Sequence, residues 1–66
     1  MNINKLKGKI VECGMNVEQL SVAIGRNRCY LYRKFQKPKT LTLGDILRIK
    51  EVLHLTDEEA VEIFLA

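Results

Sequence analysis

The sequence has no tryptophan, one proline (Pro38), one histidine (His54) and two cysteines, Cys13 and Cys29. A structural zinc site needs about four ligands and commonly a C-x-x-C pair, so we expect no metal site. The spacing leaves a disulfide between the two cysteines open, but we expect independent reduced thiols. Cys13 is expected to pack as a small apolar residue.

Motifs for catalysis and cofactor binding are also missing. The four glycines are isolated, so there is no glycine-rich phosphate-binding loop. No nucleophile–base pair and no pair of carboxylates near His54 is visible, and we expect a structural or surface role for this histidine. We therefore expect a protein that is not an enzyme and that binds no cofactor.

The chain of 66 residues is long enough for one small domain, residues 1–66. No hydrophobic run approaches the roughly 18 residues that cross a membrane. Lysines and a glutamate interrupt the first 15 residues, so we expect no signal peptide. The sequence favours a soluble, cytoplasmic protein.

Positive charge is concentrated in the first part of the chain. Residues 1–39 contain nine Lys and Arg against two acids, a net charge of +7, whereas residues 40–66 contain two against six, a net charge of −4. Six basic residues and no acid lie between Arg26 and Lys39. This distribution indicates a nucleic-acid-binding surface, and a solvated surface without a partner is the alternative.

Residues 16–35 have the pattern of two short helices joined by a tight turn. Asn16 and Gln19 fit a capping box at the start of the first helix. Leu20 and Ile24 then follow at helical spacing, and Gly25 ends this helix.

The second helix of the pair is expected to begin after Asn27, which can cap it. Leu31 and Phe35, four positions apart, give it a buried edge. Its exposed side is basic and polar and consists of Arg28, Cys29, Tyr32 and Arg33. A second helix that is apolar inside and cationic outside, after a glycine-containing turn, describes a helix-turn-helix.

Three further helices are predicted around this motif. The first covers residues 3–13, the fourth begins at Thr42 and the fifth begins at Thr56, each threonine acting as a cap. Pro38 marks the end of the motif's second helix. The residues predicted to form inner faces are Ile3, Leu6, Ile10 and Val11 in the first helix and Ile46, Leu47, Ile49 and Leu53 in the fourth. We therefore predict an all-α fold, a single compact domain of about five helices.

Residues 16–35 resemble the helix-turn-helix of the Cro and lambda-repressor-like family, and the resemblance extends loosely over nearly all of the chain. The matching residues are Leu20, Ile24, Gly25, Asn27, Leu31 and Phe35. Three residues depart from the family pattern. Val17 stands where many relatives have a glutamine that contacts phosphate, Ser21 where alanine is usual, and Arg26 where an apolar residue is usual.

The resemblance implies which residues contact DNA. In this family the start of the second helix enters the major groove, and the base-contacting positions fall on Arg28, Cys29 and Arg33. Arginine can donate two hydrogen bonds to guanine, whereas Cys29 offers a small contact, such as to a thymine methyl. The alternative for both arginines is contact with phosphates alone. The residues expected at the DNA backbone or the groove edge are Asn27, Tyr30, Tyr32, Lys37 and Lys39.

The C-terminal helix is apolar on more than one face. Its apolar residues after Ala60 are Val61, Ile63, Phe64 and Leu65. We expect these four to form a homodimer contact, because exposed apolar patches mark partner surfaces. Closure of the protein's own small core is the alternative.

The sequence thus predicts a small transcriptional regulator that binds double-stranded DNA sequence-specifically. It would resemble a phage or bacterial repressor of the Cro type, acting as a homodimer by occupying its operator. The alternative is a protein-interaction module, an antirepressor or antitoxin-like partner built on a helix-turn-helix. A DNA-binding protein without sequence preference is a third hypothesis.

Overall fold

The computed structural model describes residues 1–65, in which five α-helices pack into a body of 28 × 25 × 20 Å. The helices are α1 (Ile3–Glu12), α2 (Val17–Ala23), α3 (Tyr30–Gln36), α4 (Leu43–Val52) and α5 (Asp57–Phe64), and a 3₁₀ turn, Pro38–Thr40, lies between α3 and α4. No strand occurs within the described residues, so the predicted all-α fold is confirmed. No helix in this part of the chain is long and apolar enough to cross a membrane.

Side chains cap the N-termini of four helices. Each capping oxygen accepts the backbone N–H three residues later at 2.8–3.1 Å. The capping residues are Asn2, Asn16, Thr42 and Thr56. At α2 and α5 the side chain of the third helical residue returns the bond and completes a capping box. The predicted caps of α2, α4 and α5 are confirmed, and each is typically worth about 1 kcal/mol.

Three helices end in the same left-handed motif. The residue after the C-cap has a positive φ: 70° at Gly14 after α1, 83° at Gly25 after α2 and 53° at His54 after α4. In each case two successive N–H groups donate back to carbonyls of the last turn, as in a Schellman motif. Glycine adopts this conformation without steric cost, whereas the Cβ of His54 is strained there.

All five helices contribute to one core. Its buried apolar residues are Leu6, Ile10, Leu20, Ile24, Leu31, Leu41, Ile49, Leu53, Leu55 and Ile63. Leu31 is the one buried residue of α3, and Phe35, predicted beside it, is half-buried and packs against the core. The motif's second helix is therefore attached to the domain by a narrow apolar edge.

Three residues that the sequence assigns to the interior are exposed. Val11 is 73% exposed and Leu47 is 56% exposed. Each directly follows a residue that packs on the core, and neighbouring helical residues point about 100° apart, so the buried stripe leaves them out. Cys13 is exposed because it lies beyond the last turn of α1.

Ion pairs join α1 to α5. Lys5 pairs with Glu62, and Lys9 pairs with Glu59. The hydrogen bond from the Lys9 ammonium, together with the N–H of Thr56, lowers the pKa of Glu59 to about 2. The ionised form of Glu59 therefore stabilises the folded state.

The strain at His54 can be measured. We expect His54→Gly to raise the free energy of unfolding by about 0.5–1 kcal/mol, because glycine adopts a positive φ without steric cost. Denaturant unfolding measures the change. His54→Ala keeps the Cβ and should give no gain. An equal gain in the alanine variant would locate the strain in the imidazole and not in the backbone.

The ion pair of Glu59 predicts an acid-dependent stability. Because the folded pKa of about 2 lies below the ordinary value of 4.5, the stabilisation is complete above pH about 5 and is lost as the pH falls towards 2. Glu59→Gln keeps an oxygen for the N–H of Thr56 but loses the charge, so the fall in Tm between pH 5 and pH 2 should become shallower. Glu58→Gln, at the exposed neighbouring position, is the control and should keep the parent slope. The prediction fails if both variants follow the parent.

Candidate nucleic-acid interface

A buried hydroxyl joins α2 to α3. Ser21 is fully buried; its Oγ donates to the carbonyl of Val17 at 3.0 Å and accepts the N–H of Leu31 at 3.2 Å. Because α3 has no side-chain cap of its own, Ser21 satisfies one of its free N–H groups from the neighbouring helix. Serine at position 21, where alanine is usual in the resembled family, thus links α2 to α3 through hydrogen bonds that alanine could not make.

The turn between α2 and α3 is longer than predicted. The side chain of Asn27 accepts the N–H of Cys29 at 3.0 Å, which is an Asx turn, and α3 begins only at Tyr30. The prediction that Asn27 caps α3 is therefore wrong. Arg28 and Cys29 lie in the turn, ahead of the helix, and both are exposed.

The turn and α3 bring several predicted contact residues to one exposed side. Arg33 lies one helical turn after Cys29, and its Nη2 comes within 3.5 Å of Oδ1 of Asn27. Tyr32, the residue before Arg33, is about half exposed. Arg28 is exposed in the same turn and lines a depression against α2. The side formed by Asn27, Cys29 and Arg33 therefore carries an amide, a thiol and a guanidinium group.

An open depression of about 430 Å³ runs along α3 to the 3₁₀ turn. It is lined by Tyr30, Arg33, Lys34, Lys37 and Thr40. Lys34 donates from Nζ to the carbonyl of Thr40 at 3.2 Å and lies 5.3 Å from the centre of the Tyr30 ring. Three cations and no acid line the depression, a composition that suits a phosphate group. Lys34 and Thr40 were not among the predicted contact residues, although Lys34 belongs to the basic run.

Tyr30 has its polar end turned into the protein. Its hydroxyl donates to Oδ2 of Asp45 at 2.6 Å. This hydrogen bond, with burial, raises the pKa of Tyr30. Any contact of Tyr30 with a backbone or groove edge would therefore come from its ring.

Asp45 is the one charged side chain that is fully buried among residues 1–65. Its Oδ1 accepts from Nε and Nη2 of Arg26 at 3.3 and 3.2 Å, and Nη1 of Arg48 is 3.7 Å away. Burial alone would raise the pKa of the carboxyl, but interactions with Tyr30, Thr42 and Arg26 outweigh it and leave the pKa below its usual value. Asp45 is therefore ionised at neutral pH. The local sequence around Asp45 does not indicate these partners, because Arg26 and Tyr30 lie 19 and 15 positions earlier in the chain.

Most basic residues outside the segment 28–39 pair with a carboxylate, whereas within the described residues those inside this segment do not. The cations that pair with a carboxylate are Lys5, Lys9, Arg26, Arg48 and Lys50. In the part of the chain that the structure describes, those with no carboxylate within 4.0 Å are Lys7, Arg28, Arg33, Lys34, Lys37 and Lys39. Five of these six lie on the turn, α3 and the 3₁₀ turn, and form what we term the cationic surface, 28–39.

The predicted dimer residues separate into two groups. Ile63 is fully buried in the protein's own core and is thereby removed from the predicted contact, and Phe64 is half-buried. Val61 and Leu65 are more than half exposed. With Leu43 and Leu47, the exposed leucines of α4, they form the α4–α5 apolar surface, and a groove of about 180 Å³ runs between the two helices.

The cysteines and acids are candidate metal ligands. Cys13 and Cys29 are free and exposed. Within residues 1–65, no three side chains of His, Cys, Asp or Glu are grouped so that they could hold a metal ion. The exposed chemistry of the motif is therefore that of hydrogen bonds and positive charge.

Comparison of the chain with models of protein families, with curated proteins and with solved structures gives no significant match. The resemblance to the Cro and lambda-repressor-like family consequently depends on the residues of the motif quoted above.

Proposed function

We propose that the protein binds double-stranded DNA sequence-specifically as a small transcriptional regulator, through the turn and the exposed side of α3. The observation that carries this proposal is the cationic surface 28–39, in which no basic side chain has a carboxylate partner among residues 1–65. A regulator of this size would repress by occupying its operator, and its place of action would be the bacterial cytoplasm.

Unpaired cations favour a polyanionic partner for an energetic reason. Each cation that neutralises a phosphate releases condensed counterions, which is favourable at low salt. A cation already paired with a carboxylate would first have to lose that pair. The five cations of the cationic surface carry no such cost, and the depression beside Lys34 and Lys37 offers a concave place for one phosphate.

Base reading would fall to the arginines nearest the turn. Arg33 is presented by a rigid helix between buried Leu31 and half-buried Phe35, and is aimed away from the core. Its guanidinium can donate two parallel hydrogen bonds to guanine in the major groove. Arg28 and Cys29 would approach the same groove from the turn, and the backbone or groove-edge contacts would come from Asn27, Tyr32, Lys37 and Lys39.

Two copies would meet on the operator through the α4–α5 apolar surface. A stable interface buries about 800 Å² on each partner, nearly a fifth of the 4361 Å² surface of this chain. The combined exposed area of the four side chains Leu43, Leu47, Val61 and Leu65 is smaller than that. We therefore expect the dimer to be weak in solution and to form on DNA, where a two-fold operator holds two copies side by side.

A second candidate function has one observation in its favour. The same apolar groove could receive a helix of a different protein, as in an antirepressor or antitoxin-like module. In that case the protein would retain a partner complex and show no DNA preference. The unpaired cations favour the DNA-binding proposal.

Selection of bound sequences from a random duplex pool tests the proposed function. We expect an enriched motif with half-sites about 10 base pairs apart, and an affinity that falls with salt with a log–log slope of several units. Arg33→Lys should relax the preference at one position of each half-site, at a cost of about 1–3 kcal/mol, because lysine keeps the charge but not the two-pronged geometry.

Lys39→Ala is the matched variant for this experiment. It should weaken all sequences about equally and reduce the salt slope by about one unit. A parent protein that enriches no sequence, or that has a flat salt response, contradicts the proposal. If Arg33→Lys keeps the sequence preference of the parent protein, Arg33 contacts phosphate and not a base.

The operator dimer predicts the effect of charge in the apolar groove. Leu47→Glu should abolish cooperative occupation of the two half-sites, because it places a charge in the contact between copies without touching the DNA-facing side. Val11→Glu, at a similarly exposed apolar position on α1, is the control and should behave as the parent. Sedimentation of complexes with one and two half-sites measures the stoichiometry. Full occupancy by two copies in the Leu47→Glu variant would remove this surface from the dimer.

A further inference from the structure

The turn of residues 26–30, which leads from the end of α2 into α3, is held at both ends by one carboxylate of α4. We propose that Asp45 is a positioning residue that fixes this turn and thereby sets the DNA sequence preference of the protein. Its role in DNA recognition rests on the proposed function, whereas its hold on the turn does not.

Each carboxylate oxygen of Asp45 binds a different end of the turn. Oδ1 accepts both bonds from Arg26, at 3.3 and 3.2 Å, and Oδ2 accepts the hydroxyl of Tyr30 at 2.6 Å. The guanidinium of Arg26 also lies 4.8 Å from the centre of the Tyr30 ring. The first and last residues of the turn are thus bound to the same group and stacked on each other.

The residues between these two ends have little else to hold them. Inside the turn, Asn27 accepts the N–H of Cys29, and its carbonyl accepts the N–H of Tyr30 at 3.1 Å. Arg33 of α3 adds a bond from its N–H to the carbonyl of Cys29 at 3.4 Å and one from Nη2 to Oδ1 of Asn27 at 3.5 Å. All of these bonds lie within the turn and α3, so among the described residues none attaches the interior of the turn to another helix. Arg28 lies midway between the two clamped residues, so the direction of its side chain follows from the backbone that Asp45 holds.

The burial of Asp45 also points to positioning. A buried ion pair commonly stabilises a fold no more than well-packed apolar residues would, and its better-attested use is to specify one arrangement. Asp45 is fully buried although its partners Arg26 and Arg48 reach the surface. The hydrogen bonds of Asp45 therefore fix the position of the turn relative to α4. An apolar contact at the same place would allow the turn to shift along α4.

The first test needs no DNA. Asp45→Asn cannot accept from both partners as the carboxylate does, and Tyr30→Phe removes one hydroxyl without changing the charge. In both variants, amide hydrogen exchange at Cys29 and Tyr30, whose N–H groups are hydrogen-bonded in the turn, should accelerate at least about tenfold relative to α1 and α5. Exchange that rises uniformly through the domain, or does not rise, overturns the proposal.

The second test measures sequence preference. The quantity is the ratio of affinities for the selected site and for a random duplex of the same length, at a temperature where every variant is fully folded. Asp45→Asn should lower the ratio about tenfold, through weaker binding to the selected site, because a misdirected arginine loses its paired hydrogen bonds to the base. The variant has one negative charge less, so its affinity for the random duplex should stay the same or rise. Tyr30→Phe should lower the ratio without a change in charge.

Two comparisons separate positioning from general stability. The double variant should be no worse than Asp45→Asn alone, since both substitutions break the same clamp. Ile63→Val loses core packing in α5, far along the chain from the turn, and should leave the ratio unchanged. An equal loss of preference in Ile63→Val, or an unchanged ratio in both clamp variants, overturns the role in recognition. If the parent protein shows no DNA sequence preference, the proposed function is wrong. The hydrogen-exchange measurement then still decides whether Asp45 holds the turn.

Discussion

The exposed side of α3 depends on hydrogen bonds that the helix donates to acceptors in other parts of the chain. A helix of seven residues is too short to be stable alone in water, and α3 has no side-chain cap. Its first turn is held by the hydroxyl of Ser21, which takes the N–H of Leu31, and by the carboxylate of Asp45, which takes the hydroxyl of Tyr30. The cationic side chains of α3 can point outward because these buried polar groups, with Leu31, hold the inner side.

The charge asymmetry of the sequence becomes a spatial one through the ion pairs. The acids of the C-terminal part neutralise cations of α1 and α4: Glu62 and Glu59 bind lysines of α1, and Asp57 binds Lys50. Buried Asp45 takes Arg26 and Arg48. In the described residues no carboxylate lies within 4.0 Å of a cation of the cationic surface 28–39, so the unpaired positive charge is concentrated where the turn and α3 are exposed.

The parts of the fold that could be predicted are those that local chemistry decides. Asn16, Thr42 and Thr56 cap helices because a side-chain oxygen and an N–H three residues later lie within one turn of the chain. Gly25 ends α2 for an equally local reason. The start of α3 could not be obtained in this way, because Asn27 can either cap a helix or form an Asx turn, and both use the same atoms. The Asx turn forms here because Ser21 and Asp45, which are distant in sequence, bind the N–H of Leu31 and the hydroxyl of Tyr30 and so fix where the helix begins.

The candidate site was predictable to a similar extent. The basic run indicated the surface, and the motif indicated the exposed residues. The inward hydroxyl of Tyr30 and the buried partners of Asp45 could not be obtained from the sequence, because they depend on where α4 packs. The errors at Val11 and Leu47 have a simpler cause: an apolar residue beside a buried stripe gives the same sequence pattern whether the neighbouring helices cover it or not.

The narrow attachment of α3 has a consequence for the population of active molecules. Because Leu31 is the one fully buried side chain of α3, this helix is ordered only while the rest of the domain is folded. The apparent affinity of the proposed DNA site is then the intrinsic affinity multiplied by the fraction of molecules in which α3 is formed. A substitution anywhere in the shared core would change that fraction for every DNA sequence alike. Overall affinity in this protein would thus report on the stability of the whole domain, and selectivity on the arrangement of a single turn.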